Sequence, residues 1–268
     1  MLTLASDFGS PYPAAMKGVL LQRTDARLVD VAHDLPRQDV RAAAFWCRET
    51  LPYFPPAVHL VVVDPGVGTD RDALVVRAGE HALVGPDNGV LLPAARRIAA
   101  ETGADVPLEC FTYDYDDPPS STFHGRDVFA PAAAAVHEAG VDALESLNEV
   151  TAVETVAPDD PPEAAADCRF PEPTVDADAR TARGEVLVVD DFGNAITNVP
   201  GSFLDGREGD RLTVNGSAAT VTTAFADVPP GARLVTVGSH GYVECDVNQG
   251  RGDEAFGLTA GDEVVLSD

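Results

Sequence analysis

Residues 61–71 read VVVDPGVGTDR, and this stretch constrains the fold more than any other. Three consecutive β-branched residues spell a buried strand. The run then breaks into Asp64-Pro65-Gly66-Val67-Gly68-Thr69, a turn-rich sequence that cannot continue as a strand. A carboxylate therefore stands where a strand ends, with Arg71 close behind it. In open α/β sheets, ligands and chemistry gather at the ends of strands. An ordinary glycine-rich turn fits the same letters, so both readings stand on this stretch alone.

The chain around it alternates. Residues 2–6 read as a strand ending at Asp7-Phe8-Gly9-Ser10-Pro11, a second carboxylate at a strand's end. Met16, Val19 and Leu20 then fall at helical spacing, and residues 27–32 (RLVDVA) alternate as a strand. From Asp39 the run DVRAAAFWCRETL puts Val40, Ala43, Ala44 and Cys47 on one helical face. Residues 58–63 form the strand that enters the opening stretch. Two short strands, 73–77 and 82–85, flank a turn at Gly79-Glu80. Pro86-Asp87-Asn88-Gly89 leads into a helix through Arg96 and Ala100. The polar segment 121–127 leads into the helical run FAPAAAAVHEAG. This alternation predicts an α/β domain with a largely parallel central sheet over 1–156.

The pattern changes near residue 157. Residues 157–183 carry Pro158, Pro161, Pro162, Pro171 and Pro173 among many acidic side chains, and read as an extended linker. Over 184–268 short β-rich runs (EVLVVD, RLTV, AATVTTA, RLVTVGS, YVECDV, EVVLSD) are separated by Gly/Asp/Pro turns. They predict a smaller all-β, barrel-like domain.

Composition narrows the partners. Forty-four acidic against 18 basic residues leave a net charge of −26, and Lys17 is the only lysine. Such a surface suits high salt, where repulsion is screened within a few ångströms. A polyanion would be repelled, so nucleic acid is not expected as a partner. The start of the chain lacks the basic region of a signal peptide, and no apolar run is long enough to span a membrane. Cys47, Cys110, Cys168 and Cys245 are scattered without a Cys-x-x-Cys pair, which speaks against a zinc site and fits reduced thiols in the cytoplasm. No metal is expected.

Asp7, Asp64 and His124 stand out as candidates for chemistry. An Asp, an Arg and a His brought together could orient and partly deprotonate a water, and the arginine would favour the negative charge that develops. His33, His59, His81 and His137 read as structural. No Gly-x-Ser-x-Gly elbow, phosphate loop or His-Glu-x-x-His is present. In the β-rich half, residues 189–198, 239–242 and 247–250 are dense in Asp, Asn and Gly. Turns account for such residues, and so does a polar ligand site.

Taken together, several segments resemble a known family. They are Ser6-Asp7-Phe8-Gly9, Met16-Lys17-Gly18, Val63 to Thr69, Gly85-Pro86-Asp87-Asn88-Gly89 and Thr122 to Pro131. Asp190, Phe192-Gly193-Asn194 and Ser239 to Asn248 extend the likeness. All look like the S-adenosyl-L-methionine hydroxide adenosyltransferases, relatives of the fluorinating and chlorinating enzymes. The resemblance implies water attack at the ribose C5′ of S-adenosylmethionine, which is the substrate and not a cofactor, giving adenosine and L-methionine. It places the water-activating set on Asp64, Arg71 and His124. It places the ribose hydroxyls on Asp7, the methionine ammonium on Asp190 and its carboxylate near Ser239. Phe192 and Asn194 fall on the adenine side, with the backbone near Val247 and Asn248. Phe8, Asn88 and Tyr242 complete the substrate-binding set. It also implies a homotrimer with sites at subunit interfaces.

The chain departs from the pattern in two places. The loop after Gly9 is shorter than usual, with Ser10 where an aspartate is common, and His240 stands where the halogenating relatives have arginine. The short run from Arg77 to Gly85 has no room for the insertion of the fluorinating enzymes, which favours water over halide. Halide transfer to C5′ and non-catalytic binding of an adenosyl ligand are the alternatives.

Overall fold

The computed structural model describes residues 1–103, 106–116, 118–176, 178 and 180–268. It divides into two compact units, Met1–Arg169 and Phe170–Asp268. The boundary falls inside the stretch read as a linker. That stretch is tied down more than its proline content suggests: Glu154 accepts hydrogen bonds from the backbone of Glu163, Ala164 and Ala165. Asp167 is held between Arg96 and Arg169. Residues 177 and 179 lie outside those described.

In the first unit, seven strands form one sheet: β1 (Leu2–Ser6), β2 (Leu28–Ala32), β3 (Val58–Val62), β4 (Ala73–Ala78), β5 (His81–Pro86), β6 (Leu108–Tyr113) and β7 (Val150–Val156). Their spatial order is β2-β1-β3-β5-β4-β6-β7. The α/β unit expected from the alternation is present, and its parallel part is β2-β1-β3-β5. The hairpin from β4 to β5 turns at Gly79-Glu80 as predicted, and β6 and β7 extend that edge antiparallel.

Helix α1 (Tyr12–Leu21) and α4 (Ala130–Ala139) share one core with the sheet. Met16, Leu20, Ala133 and Val136 pack with Leu4, Leu60, Val62 and Val84. Each such Leu or Val contributes about 1.5–3 kcal/mol on burial. Helix α2 (Val40–Thr50) is capped by Asp39, whose Oδ1 accepts from Ala42 N at 2.9 Å. It packs on α3 (Leu92–Thr102). All five residues of β3 are buried, as a central parallel strand requires.

The second unit is a closed barrel. It contains β8 (Thr174–Asp176), β9 (Thr181–Val189), β10 (Ala195–Pro200), β11 (Arg211–Val214), β12 (Ser217–Val221), β13 (Arg233–Val237), β14 (Tyr242–Val247) and β15 (Glu263–Ser267). The ring runs β10-β14-β13-β12-β11-β15-β9 and closes through the β9–β10 hairpin, with β8 added outside β9. Val186, Ala195, Val235, Val243, Cys245 and Leu266 fill its interior. A short helix, α5 (Gly252–Phe256), follows β14. No helix among the described residues is long and apolar enough to cross a membrane.

Candidate active site

The parallel order β1-β3-β5 decides where chemistry can sit. Asp7 directly follows β1, Asp64 follows β3 and Asn88 follows β5, so all three leave the same edge of the sheet. Arg71 arrives from the loop that enters β4.

Arg71 Nη1 donates to Asp64 Oδ1 at 2.6 Å, and Gly66 N donates to the same oxygen at 3.1 Å. The second carboxylate oxygen takes neither bond. The Asp64 side chain is 6% exposed against 29% for Arg71. The carboxylate is therefore fixed from below while the guanidinium reaches the surface. A Cβ at Gly66 would meet the Arg71 guanidinium and force it to shift from its place on Asp64.

His124 is buried, with its ring 6.1 Å from Tyr115 and 6.5 Å from Phe129. It opens the widened turn Gly125–Phe129 that runs into α4. Arg71 and His124 line one cleft of about 460 Å³, together with Thr69, Asp72, Tyr115 and Ser121. The expected Asp–Arg–His set is thus linked in two ways, Asp64 to Arg71 by an ion pair and Arg71 to His124 by a shared cleft.

Asp7 is buried and its Oδ2 accepts from Gln38 N at 2.7 Å. Phe8 packs edge-on against Phe123, centroids 5.6 Å apart, one residue before His124. Gly125 completes this joint, since a Cβ there would stand 2.9 Å from the Phe8 ring and 3.0 Å from Met16 Sδ. The end of β1 and the histidine loop are therefore packed directly against each other. Asn88 spends its amide locally, donating to Val63 O at 2.8 Å and accepting from Val90 N at 3.2 Å. It pins the end of β5 to the end of β3.

In the barrel, Asp190 begins the β9–β10 turn and takes Asn194 with both oxygens, from the backbone N at 2.8 Å and from Nδ2 at 3.0 Å. Phe192 stands at the tip, 79% exposed. Ala195 pairs with Cys245, so this turn lies at the Val247 end of β14. Asn248 is buried there and donates to Val228 O. Asp190, Phe192, Asn194, Val247 and Asn248 are therefore neighbours. Ser239 and Tyr242 are at the other end of β14, roughly 17 Å away by strand rise.

Two residues escaped the sequence reading. Tyr115 lines the cleft and reaches Arg71 O at 3.5 Å; burial raises its phenol pKa, and Asp72, Asp64 and Asp70 add to the effect. Asp246 on β14 has no exposed surface, and among the described residues neither carboxylate oxygen has a hydrogen-bond partner. Burial pushes its pKa up to about 8, with Glu244 and Asp190 adding to the shift. Nothing in a local window marks either residue, because both depend on which strands become neighbours.

These features define a class: an α/β unit with a paired carboxylate and guanidinium beside a buried imidazole at its strand ends, followed by a β-barrel with a polar turn cluster. Residues 2–147 match the SAM hydroxide adenosyltransferase N-terminal domain and residues 184–265 match the C-terminal domain of that family. Among similar proteins, the (R)-S-adenosyl-L-methionine hydrolase of Salinispora tropica is 40% identical over 99% of this chain and 97% of its own. That of Thermus thermophilus is 41% identical, covering 97% of each. A crystal structure of an uncharacterized conserved protein from Thermotoga maritima superposes with a TM-score of 0.81 at 31% identity, covering both chains fully. The chain belongs to the SAM hydroxide adenosyltransferase family.

Proposed function

We propose that the protein is an enzyme that hydrolyses S-adenosyl-L-methionine by water attack at the ribose C5′, releasing adenosine and L-methionine. The observation that carries this reading is the 2.6 Å Asp64–Arg71 pair, whose arginine lines one cleft with His124. The names of the relatives support it, and they specify the (R)-sulfonium form of the substrate.

The chemistry suits these side chains. The new bond joins the water oxygen to C5′, and the C5′–S pair stays on sulfur. The sulfonium thus leaves as a neutral thioether and needs no general acid. A water must be oriented in line with C5′–S and partly deprotonated. Bulk water has a pKa near about 15.7, so its surroundings must favour hydroxide. Asp64 orients the water, Arg71 stabilises the growing charge and His124 takes the proton. The reaction balances without a cofactor.

Asp7 accepts the ribose hydroxyls, as a carboxylate can take two hydrogen bonds. Phe192, Asn194 and the backbone of Val247 and Asn248 hold adenine and Asp190 the methionine ammonium, while Ser239, at the opposite end of β14, is too far from Asp190 to share that group within one chain. Phe8, Asn88 and Tyr242 support these contacts. Residues 1–156 carry the water site, 184–268 the adenine and methionine contacts, and 157–183 join them. The assembly is a homotrimer in the cytoplasm.

The test is product analysis with each sulfonium epimer in ¹⁸O-water at molar chloride. Adenosine labelled at its 5′ oxygen is expected, faster from the (R) form. Chlorodeoxyadenosine as main product would replace water by halide, and binding without turnover would make the protein a binder only.

A further inference from the structure

His33 reads from the sequence as a structural histidine closing a strand, and the structure gives it a more specific position. It lies just after β2, beside the turn from Ser6 to Gly9 that carries Asp7. Its ring and its backbone hold both ends of that turn. His33 Nδ1 is 2.8 Å from Ser6 Oγ, and Gly9 N donates to His33 O at 2.7 Å. Leu35 N donates to Ser6 O at 3.3 Å, closing the same junction.

The line continues outward. His33 Nε2 is 3.0 Å from Asp30 Oδ1, and Lys17 Nζ on α1 donates to Asp30 Oδ2 at 2.7 Å. Burial alone would raise the Asp30 pKa, but the bonds from Lys17 and His33 outweigh it and hold the group below its usual value. Asp30 is therefore an anion that keeps the imidazole oriented, accepting from the ring nitrogen that faces it. The only lysine of the chain is its counter-ion.

Hydroxyl, imidazole and carboxylate in series are also the parts of an acyl-transfer triad, but Ser6 has no exposed surface and no substrate can reach its oxygen. The series serves another purpose. Asp7 accepts from Gln38 N, and its backbone belongs to the turn whose ends His33 holds.

We propose that His33 is a positioning residue for ribose binding: with Ser6, Asp30 and Lys17 it forms a hydrogen-bonded splint that aims the Asp7 carboxylate. This rests on the reading of Asp7 as the ribose ligand. The splint acts before the chemistry, so it sets affinity for the ribose diol and leaves the Asp64–Arg71 pair untouched.

Adenosine and 2′,3′-dideoxyadenosine, titrated calorimetrically into the protein, separate these statements. Wild type is expected to prefer adenosine by about 10-fold or more, the scale of hydrogen bonds to a charged group. Equal affinities in wild type would remove Asp7 from ribose recognition and the splint with it. In His33→Ala that preference should collapse towards unity, while L-methionine inhibits as before. His33→Gln, whose amide can both accept from Ser6 and donate to Asp30, should restore most of it. Ser6→Ala cuts the same line at a smaller side chain and serves if His33→Ala fails to fold. In kinetics KM should rise about 10-fold with kcat within about 3-fold. A wild-type preference that survives in folded His33→Ala or Ser6→Ala overturns the proposal.

Discussion

Arg71 holds Asp64 through a single oxygen: Nη1 meets Oδ1 at 2.6 Å, on the side where Gly66 N also binds. A fork that could grip both oxygens instead leaves the other one out of the pair. For a carboxylate meant only to stabilise a loop, the two-pronged geometry would be better. The one-sided grip suits a group whose second oxygen has a different task.

That arrangement makes Asp64→Asn a clean probe. The amide fills the same space and can still accept from Arg71, so the fold and substrate affinity should persist. Turnover should fall about 10²–10⁴-fold, the range for loss of a positioned acid–base group. Single-turnover kinetics alongside calorimetric titration separate the two quantities, and turnover within threefold of wild type would take Asp64 out of the mechanism.

His124→Ala should lose turnover by a similar about 10²–10⁴-fold. The ring packs beside Tyr115 and Phe129, so a moderate loss of thermal stability should accompany it. Sedimentation should show the wild-type oligomeric state. Unchanged turnover would reduce His124 to packing.

Asp246 makes a prediction about stability with a definite sign. Its folded pKa lies near about 8 against an ordinary 3.8, so between those values the native state holds more protons than the unfolded chain. Stability contributed by this group is therefore present at low pH and lost as pH rises through that window. Asp246→Ala should remove the loss and stabilise the protein by about 1–4 kcal/mol at pH 8, with little change at pH 4. Urea melts at the two pH values check this. A variant equally destabilised at both would show that the carboxyl is needed for packing.

His59 works in the opposite sense. It bonds Thr3 Oγ1 at 2.7 Å and His81 Nδ1 at 2.9 Å within the first unit. Burial, followed by the neighbouring His81, lowers its pKa from 6.5 to about 3. The unfolded chain then binds the extra proton as pH falls below 6.5, so stability is full above 6.5 and declines towards pH 3. His59→Gln retains hydrogen-bonding capacity without the titration. Its melting temperature should fall less than that of wild type between pH 7 and pH 5.

Much of this was legible because local chemistry and global position agreed. Val61 to Asp64 read as a strand meeting a carboxylate, and the parallel order placed that carboxylate beside Asp7. Strand β10 was hidden, because its Thr197 and Asn198 look like turn residues. In place they are buried and satisfied, Thr197 by Val243 O and Asn198 by Pro171 O and Glu185 N. Strand β7 was hidden for the reverse reason, since an edge strand with mostly exposed side chains carries little apolar signal. Tyr115, Asp246 and the role of His33 depend on cross-strand neighbours, which no window of sequence contains.

The lone ammonium of Lys17 has a practical consequence. Apart from the amino terminus, which is 2.9 Å from His137 Nε2, an amine-directed reagent finds a single target in this chain. That target stands on α1, one hydrogen bond from Asp30 and two from the ring of His33. With the amino terminus blocked, a probe attached by reductive alkylation, which keeps the positive charge, would report on the turn that carries Asp7 without engineering a single residue.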